Sequence, residues 1–108
     1  MLRRSSKDSI LVWNKIADLP MKLSTSITLQ GQLLAIGGVD ADGKPNTAIH
    51  VYNQTIDSWE TVSHMTTPRS KCIVAVLPDN QLMVVGGRTD TTNSGMMFCD
   101  SVEFGRLI

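Results

Sequence analysis

Leu33-Leu34-Ala35-Ile36-Gly37-Gly38 returns further along the chain as Leu82-Met83-Val84-Val85-Gly86-Gly87. The two Gly-Gly pairs lie 49 residues apart. Trp13 returns as Trp59 at an offset of 46, and Leu29 returns as Leu77 at an offset of 48. Landmarks recurring at nearly constant spacing mark one structural unit copied, with small insertions in its loops. The 108 residues hold about two such units.

Between clusters of Gly, Pro, Asn and Asp the segments are short and β-rich, which predicts an all-β chain. Strands are expected near 10–16, 24–29, 32–38, 48–53, 57–62, 71–77, 81–87 and 97–104. Gln30-Gly31 and Pro78-Asp79-Asn80 carry tight-turn chemistry, and Asn53 to Asp57 is a polar connector of similar kind. Nothing reads as a helix longer than a turn. Ile73-Val74-Ala75-Val76-Leu77 has no polar alternation, nor has Leu33 to Ile36 or Met83 to Val85. A strand apolar on both faces is covered on both, whereas a lone sheet facing water alternates. Small sheets stacked face against face, as in a propeller, give such runs. A repeat of about 50 residues is also the span of one four-stranded propeller blade. The expected core is Ile27, Leu29, Leu34, Ile36, Val51, Trp59, Ile73, Val74, Val76, Val84 and Val85.

Composition narrows the function classes. Apolar residues are 42% and charged residues 19%, a globular balance. The net charge is zero, so no strong field argues for nucleic acid or an anionic membrane as partner. Arg3, Arg4 and Lys7 are followed by no apolar run of signal-peptide length. The longest apolar run, Ile73 to Leu77, is too short to cross a bilayer. Cys72 and Cys99 form neither a disulfide framework nor a zinc spacing. A cytoplasmic location is therefore expected.

Gly-Gly, then a loop, then a strand ending in Tyr, then a Trp, is the pattern of Kelch repeats. Here it is Leu33 to Gly38, Tyr52 and Trp59, followed by Met65, Pro68, Arg69, Cys72 to Leu77 and Leu82 to Gly87. The chain resembles a Kelch-repeat β-propeller over nearly everything beyond residue 10. Two departures stand out. Met21-Lys22 occupies the place of Pro68-Arg69 in the first copy, and Gly105 stands where the last copy needs its tyrosine. The resemblance implies an all-β partial propeller of two Kelch-type blades of antiparallel strands. Residues 24–62 form one full blade, 71–104 an incomplete blade of three strands, and 10–16 a stray outer strand. Residues 1–9 are expected to be a flexible N-terminal segment. Kelch propellers often close by letting one terminus lend a strand to a blade at the other. The phase also fits a subunit built for head-to-tail assembly into a homo-oligomeric ring.

The residues that could carry chemistry mostly read as structure. Gly37, Gly38, Gly86 and Gly87 lack the spacing and the following helix of a phosphate cradle, and fit a strand end needing an unusual backbone path. Tyr52, Trp59 and Trp13 sit on outer strands at fixed spacing, which favours packing between blades. Asp40-Ala41-Asp42-Gly43 fails the calcium-loop pattern, because Lys44 and Pro45 follow. His50 and His64 have no carboxylate or cysteine at metal spacing, so no metal and no cofactor is expected. The resemblance makes Arg69 an inter-blade hydrogen-bonder, although a role as an anchor for a partner is also open to it.

No nucleophile, base and orienter can be assembled, so no enzyme is expected. The expected function is a protein-protein interaction module. Strand direction places the connections 39–47, 63–70 and 88–96 on one face, and long loops on a rigid scaffold are where binding usually lives. The expected partner-binding residues are Asp40, Asp42, Lys44, Thr67, Arg69, Arg88, Asp90 and Thr92. The resemblance further implies scaffolding, or substrate recognition of the kind seen in BTB-Kelch adaptors of cullin-based ubiquitin ligases. The alternative is an incomplete fragment of a larger Kelch protein without independent activity. That protein could be a Kelch-type copper oxidase, which needs a Tyr, His and Cys cluster, and this chain has a single tyrosine.

Overall fold

The computed structural model describes residues 10–92 and 95–106, with 90–92 and 95–97 described by their backbone alone. The expected flexible segment 1–9 lies outside the described residues. In chain order the strands are β1 (Thr25–Leu29), β2 (Gln32–Ile36), β3 (Asn46–Asn53), β4 (Ser58–Arg69), β5 (Ile73–Leu77), β6 (Gln81–Val85), β7 (Arg88–Thr92), β8 (Gly95–Phe98) and β9 (Val102–Arg106). All pairings are antiparallel. No helix occurs among the described residues. Blade 1 is the four-stranded sheet β1-β2-β3-β4, blade 2 is the three-stranded sheet β5-β6-β9, and β7-β8 is a separate hairpin.

Turn chemistry sets the register. Gln30 and Gly31 both take positive φ, 50° and 77°, between the paired residues Leu29 and Gln32. Two successive left-handed residues make the turn whose twist matches the flanking strands. Asp79 and Asn80 do the same after Pro78. In blade 1 this register lines up Ile27, Leu34 and Val51 on one face, beside Ile36 and Ile49. That face meets blade 2. Leu29, Leu34, Ile36, Met65, Cys72 and Val84 form the buried core, with Ile27, Ile49, Val51, Val74 and Leu82 packed against it. Burying such side chains contributes about 1.5–3 kcal/mol each, and this seam holds the two sheets together.

Several expectations need correction. The connection 63–70 is not a loop, because β4 runs on to Arg69. Its pairing with β3 shifts between Asn46 and Ala48, and that irregularity accommodates Pro68, which has no N–H to give the ladder. The connection 88–96 begins as the β7-β8 hairpin, helped by Thr-rich sequence that suits strands. The expected strand 97–104 is accordingly two strands, β8 and β9, broken at 99–101. Residues 10–16 form no strand, and Trp13 is 87% exposed. A strand needs an edge to pair with, and β4 already holds the outer position of blade 1. Within the expected core, Ile73 and Val76 are exposed and Trp59 is only half-buried. Ile73 lies on the face of blade 2 turned away from blade 1, as its pairing with Val85 shows.

Candidate functional site

Three connections converge at one end of the blade pair. The β2–β3 loop is shaped by Asp40, whose carboxylate accepts the amides of Asp42 at 2.9 Å and Lys44 at 3.0 Å. The Asp40 amide donates to the Lys44 carbonyl, and the Gly43 amide donates to the Asp40 carbonyl, both at 2.9 Å. The side chain thus closes its own loop, a standard aspartate role in turns. The β4–β5 linker is pinned beside it. Ser70 and Arg88 exchange two backbone hydrogen bonds of 2.9 Å, and the Lys71 amide donates to the Leu23 carbonyl at 3.0 Å. The Thr25 hydroxyl donates to the Cys72 carbonyl at 2.6 Å, sewing β1 to the start of blade 2. From the hairpin, the Arg88 guanidinium reaches back and donates to the Gly43 carbonyl at 2.7 Å. Loop, linker and hairpin therefore form one fixed surface.

The Gly-Gly pairs make this convergence possible. Gly37 has φ 64°, and a Cβ there would overlap the Arg69 carbonyl. Gly87 has φ 93°, and its Cβ would stand 2.6 Å from the Ser70 carbonyl. In each copy the left-handed glycine lets one backbone pass directly under another.

Arg69 is wholly enclosed at this junction. Its Nη1 donates to the carbonyls of Gly86 at 2.9 Å and Ser101 at 2.8 Å. Its Nη2 donates to the Ser101 hydroxyl at 2.7 Å and to Glu103 Oε2 at 3.2 Å. Its Nε donates to Glu103 Oε2 at 3.2 Å. Glu103 also accepts the amides of Thr66 at 2.7 Å and Thr67 at 3.1 Å. Partial burial alone would push the Glu103 carboxyl up, but the bonds from Thr66, Arg69 and Thr67 outweigh it and hold the group below the usual glutamate range. The expectation that Arg69 contacts a partner is corrected, since all five of these bonds join blade 1 to blade 2. Thr67 belongs to β4 and its amide serves Glu103, so it too is part of the seam.

Comparison with protein families matches one description, the Kelch motif, over residues 20–66. These residues contain β1 to β3 and most of β4. Among solved structures, "Structure of YjhT" is similar at a TM-score of 0.62 and 23% identity. The likeness covers 78% of this chain and 26% of that chain, so this chain spans about a quarter of that structure's length. A comparison with curated proteins finds no match. With the stacked antiparallel sheets, these findings fix the fold as a partial β-propeller.

Asp42 and Lys44 are exposed, and Asp40 and Arg88 are half-buried as struts of the end surface. The side chains of Asp90 and Thr92 lie outside the described residues, although their backbone belongs to β7. Phe98, paired with Arg88 in the hairpin, is 76% exposed on the same side. Nothing in the sequence singles out Phe98, because the expected strand 97–104 runs through it while the structure ends β8 there. Glu103 carries only the signal of a lone acid between Val102 and Phe104.

Tyr52 and Trp59 sit at the outer strands, ring centroids 5.3 Å apart. The Tyr52 hydroxyl donates to Asp57 at 2.6 Å, and the Trp59 ring N–H donates to the Ala17 carbonyl at 3.1 Å. The Tyr52 bond, then the Ala17 amide, hold the Asp57 carboxyl below its usual range. Each ring keeps an apolar body against its neighbour and a polar tip on a partner. Between the two sheets lies an apolar wedge of about 360 Å³, lined by Leu29, Leu34, Ile49, Val51, Leu82 and Arg106. Among the described residues, no three His, Cys, Asp or Glu side chains come together as a metal site.

Proposed function

We propose that the chain is a non-enzymatic, Kelch-type protein-interaction module, and that its partner binds the end where the β2–β3 loop, the β4–β5 linker and the β7-β8 hairpin meet. The observation that carries this reading is the Arg88 guanidinium bond to the Gly43 carbonyl, which locks loop and hairpin into one surface before any partner arrives. A pre-ordered surface loses little freedom on binding. That surface presents an exposed aromatic ring, Phe98, on the hairpin strand paired with Arg88, and the exposed charges of Asp42 and Lys44 on the loop that Arg88 holds. An exposed aromatic with a polar surround is the composition of an interaction patch. A substrate-recognition role in a ubiquitin ligase adaptor is one form such a module takes. The opposite end carries short turns at 30–31 and 78–80.

The test uses immobilised chain and quantitative capture from extract. Phe98→Ser and Asp42→Lys should each remove the captured partner while leaving the denaturation midpoint unchanged, since both side chains are exposed. Substitutions at Gln30 and Asp79 should leave capture intact. Loss of capture with the turn variants, and not with Phe98→Ser or Asp42→Lys, would place binding on the wrong end and overturn the proposal.

A further inference from the structure

Blade 2 shows an apolar face that no described residue covers, and blade 1 shows what that face is for. In blade 1, Leu34 pairs with Val51 and Ile36 pairs with Ile49 on the face that is buried against blade 2. The same register in blade 2 pairs Met83 with Phe104 and Val85 with Val102. Ile73 joins this second set through Val85. The set faces away from blade 1, with Ile73 69%, Phe104 66% and Val102 47% exposed. One copy of the face is a finished interface, and the other is the same interface without its partner.

The edge of blade 2 is open as well. Blade 1 has β4 outside β3, whereas among the described residues no strand pairs with the outer edge of β9 in the sheet β5-β6-β9. Unpaired edges are templates for another strand. The segment expected as an outer strand, 10–16, joins no sheet. Ile10, Leu11, Val12, Trp13 and Ile16 are 64%, 72%, 74%, 87% and 44% exposed and make no ladder. Trp13 is the repeat equivalent of Trp59, which sits in β4.

These two ends cannot readily meet within one molecule. The segment is anchored at Ala17, whose amide donates to Asp57 at 2.9 Å and whose carbonyl accepts from Trp59. Trp59 pairs with Tyr52, one residue on from Val51, so it projects from the face of blade 1 turned away from blade 2. Residues 10–16 therefore leave blade 1 on the opposite side from β9.

We propose that the occupant is a second copy of this chain. Residues 10–16 of one copy add antiparallel to β9 of the next as its fourth strand, and the Ile73-Val85-Val102-Phe104 face of that next copy stacks on blade 1 of the copy that donates the strand. The contact joins two different surfaces, so it is heterologous and repeats head to tail. With two blades per copy, closure at about four to eight blades takes two to four copies.

The test is native mass spectrometry with light scattering of the full chain over a wide concentration range. Wild type should show a discrete species at two to four times 11.8 kDa. Phe104→Glu blocks one end and Trp13→Glu the other. Both residues are exposed in the single chain, so neither change should lower its denaturation midpoint. Each alone should raise the concentration at which the assembly half-dissociates by at least about tenfold. A mixture of the two variants retains one intact contact and should give a one-to-one pair. Wild type that stays monomeric at every concentration overturns the proposal, as does assembly unaffected by either variant. A mixture that fails to pair while each variant remains folded overturns the head-to-tail arrangement. None of these outcomes bears on binding at the loop end, whose variants lie elsewhere.

Discussion

Replacing Arg69 by alanine should unfasten the two blades. The side chain is fully buried and makes five hydrogen bonds, all to blade 2 or the segment leading into it. Its removal leaves the Glu103 carboxylate without its cation and the Gly86 and Ser101 carbonyls without a donor. Breaking a buried pair by deleting one partner costs about 3–5 kcal/mol. The Glu103 side chain is 17% exposed, so water relieves part of that penalty, which places the expected loss near the lower end, about 3 kcal/mol. The stability of a domain this size is about 5–15 kcal/mol, so the loss is large but measurable. The assay is urea unfolding followed by tryptophan fluorescence, whose change comes from half-buried Trp59 in blade 1, since Trp13 is already 87% exposed. Glu103→Gln should cost less, about 1–2 kcal/mol, because a neutral amide oxygen still accepts from Thr66 or Thr67. The double variant should lose less than the sum of the two single losses, as residues in one network do. An Arg69→Ala protein within about 1 kcal/mol of wild type would refute the account of the seam.

Acid should weaken the fold in two stages. His50 is held below its ordinary value of 6.5, by burial first and then by the charge of His64. Its folded form resists the proton that the unfolded chain accepts, so stability is complete above pH 6.5 and falls as pH drops below it. Glu103 is held below its ordinary 4.5, so the stability it contributes is present above that pH and lost on further acidification. Urea midpoints measured from neutral pH downward should show both declines, and a flat profile would contradict them. Gly37→Ala should destabilise far more than Gly31→Ala, since both have positive φ but only Gly37 would meet a carbonyl. Thermal midpoints of the two variants decide it, and equal shifts would remove the close-approach role. Thiol labelling should find one reactive cysteine in the native chain. The Ser101 hydroxyl, 2.8 Å away, holds the half-buried Cys99 thiol below its usual range, whereas burial pushes Cys72 up. Labelling of both at equal rates in the native state would contradict the buried position of Cys72.

The repeat made the fold legible. Leu33 to Gly38 and Leu82 to Gly87 mark β2 and β6 with their crossing glycines, and tight turns at 30–31 and 78–80 fix the register around them. Irregular pairing was not legible. β4 extends past the expected end at 62 because a register shift with β3 absorbs Pro68, and no local pattern announces such a shift. The β7-β8 hairpin was hidden because polar Thr-rich sequence reads equally as loop. Ile73-Val74-Ala75-Val76-Leu77 is apolar on both faces and so predicts cover on both, yet Val74 is packed while Ile73 is exposed, because an apolar run does not say whether both covers are present. Arg69 stood out by position, but its role depends on Glu103 and Ser101, which are 34 and 32 residues away and meet it only once the blades stack.

The central claim is that two separate sheets pack face to face through the Leu34-Ile36 face of blade 1 and the Val74-Val84 face of blade 2. Methyl-methyl nuclear Overhauser contacts measure this directly on selectively labelled chain. The account predicts contacts from the Leu34 and Ile36 methyls to the Val84 and Val74 methyls, beside the ladder contacts within each sheet. Intact ladder contacts within both sheets with none between these methyls would contradict it.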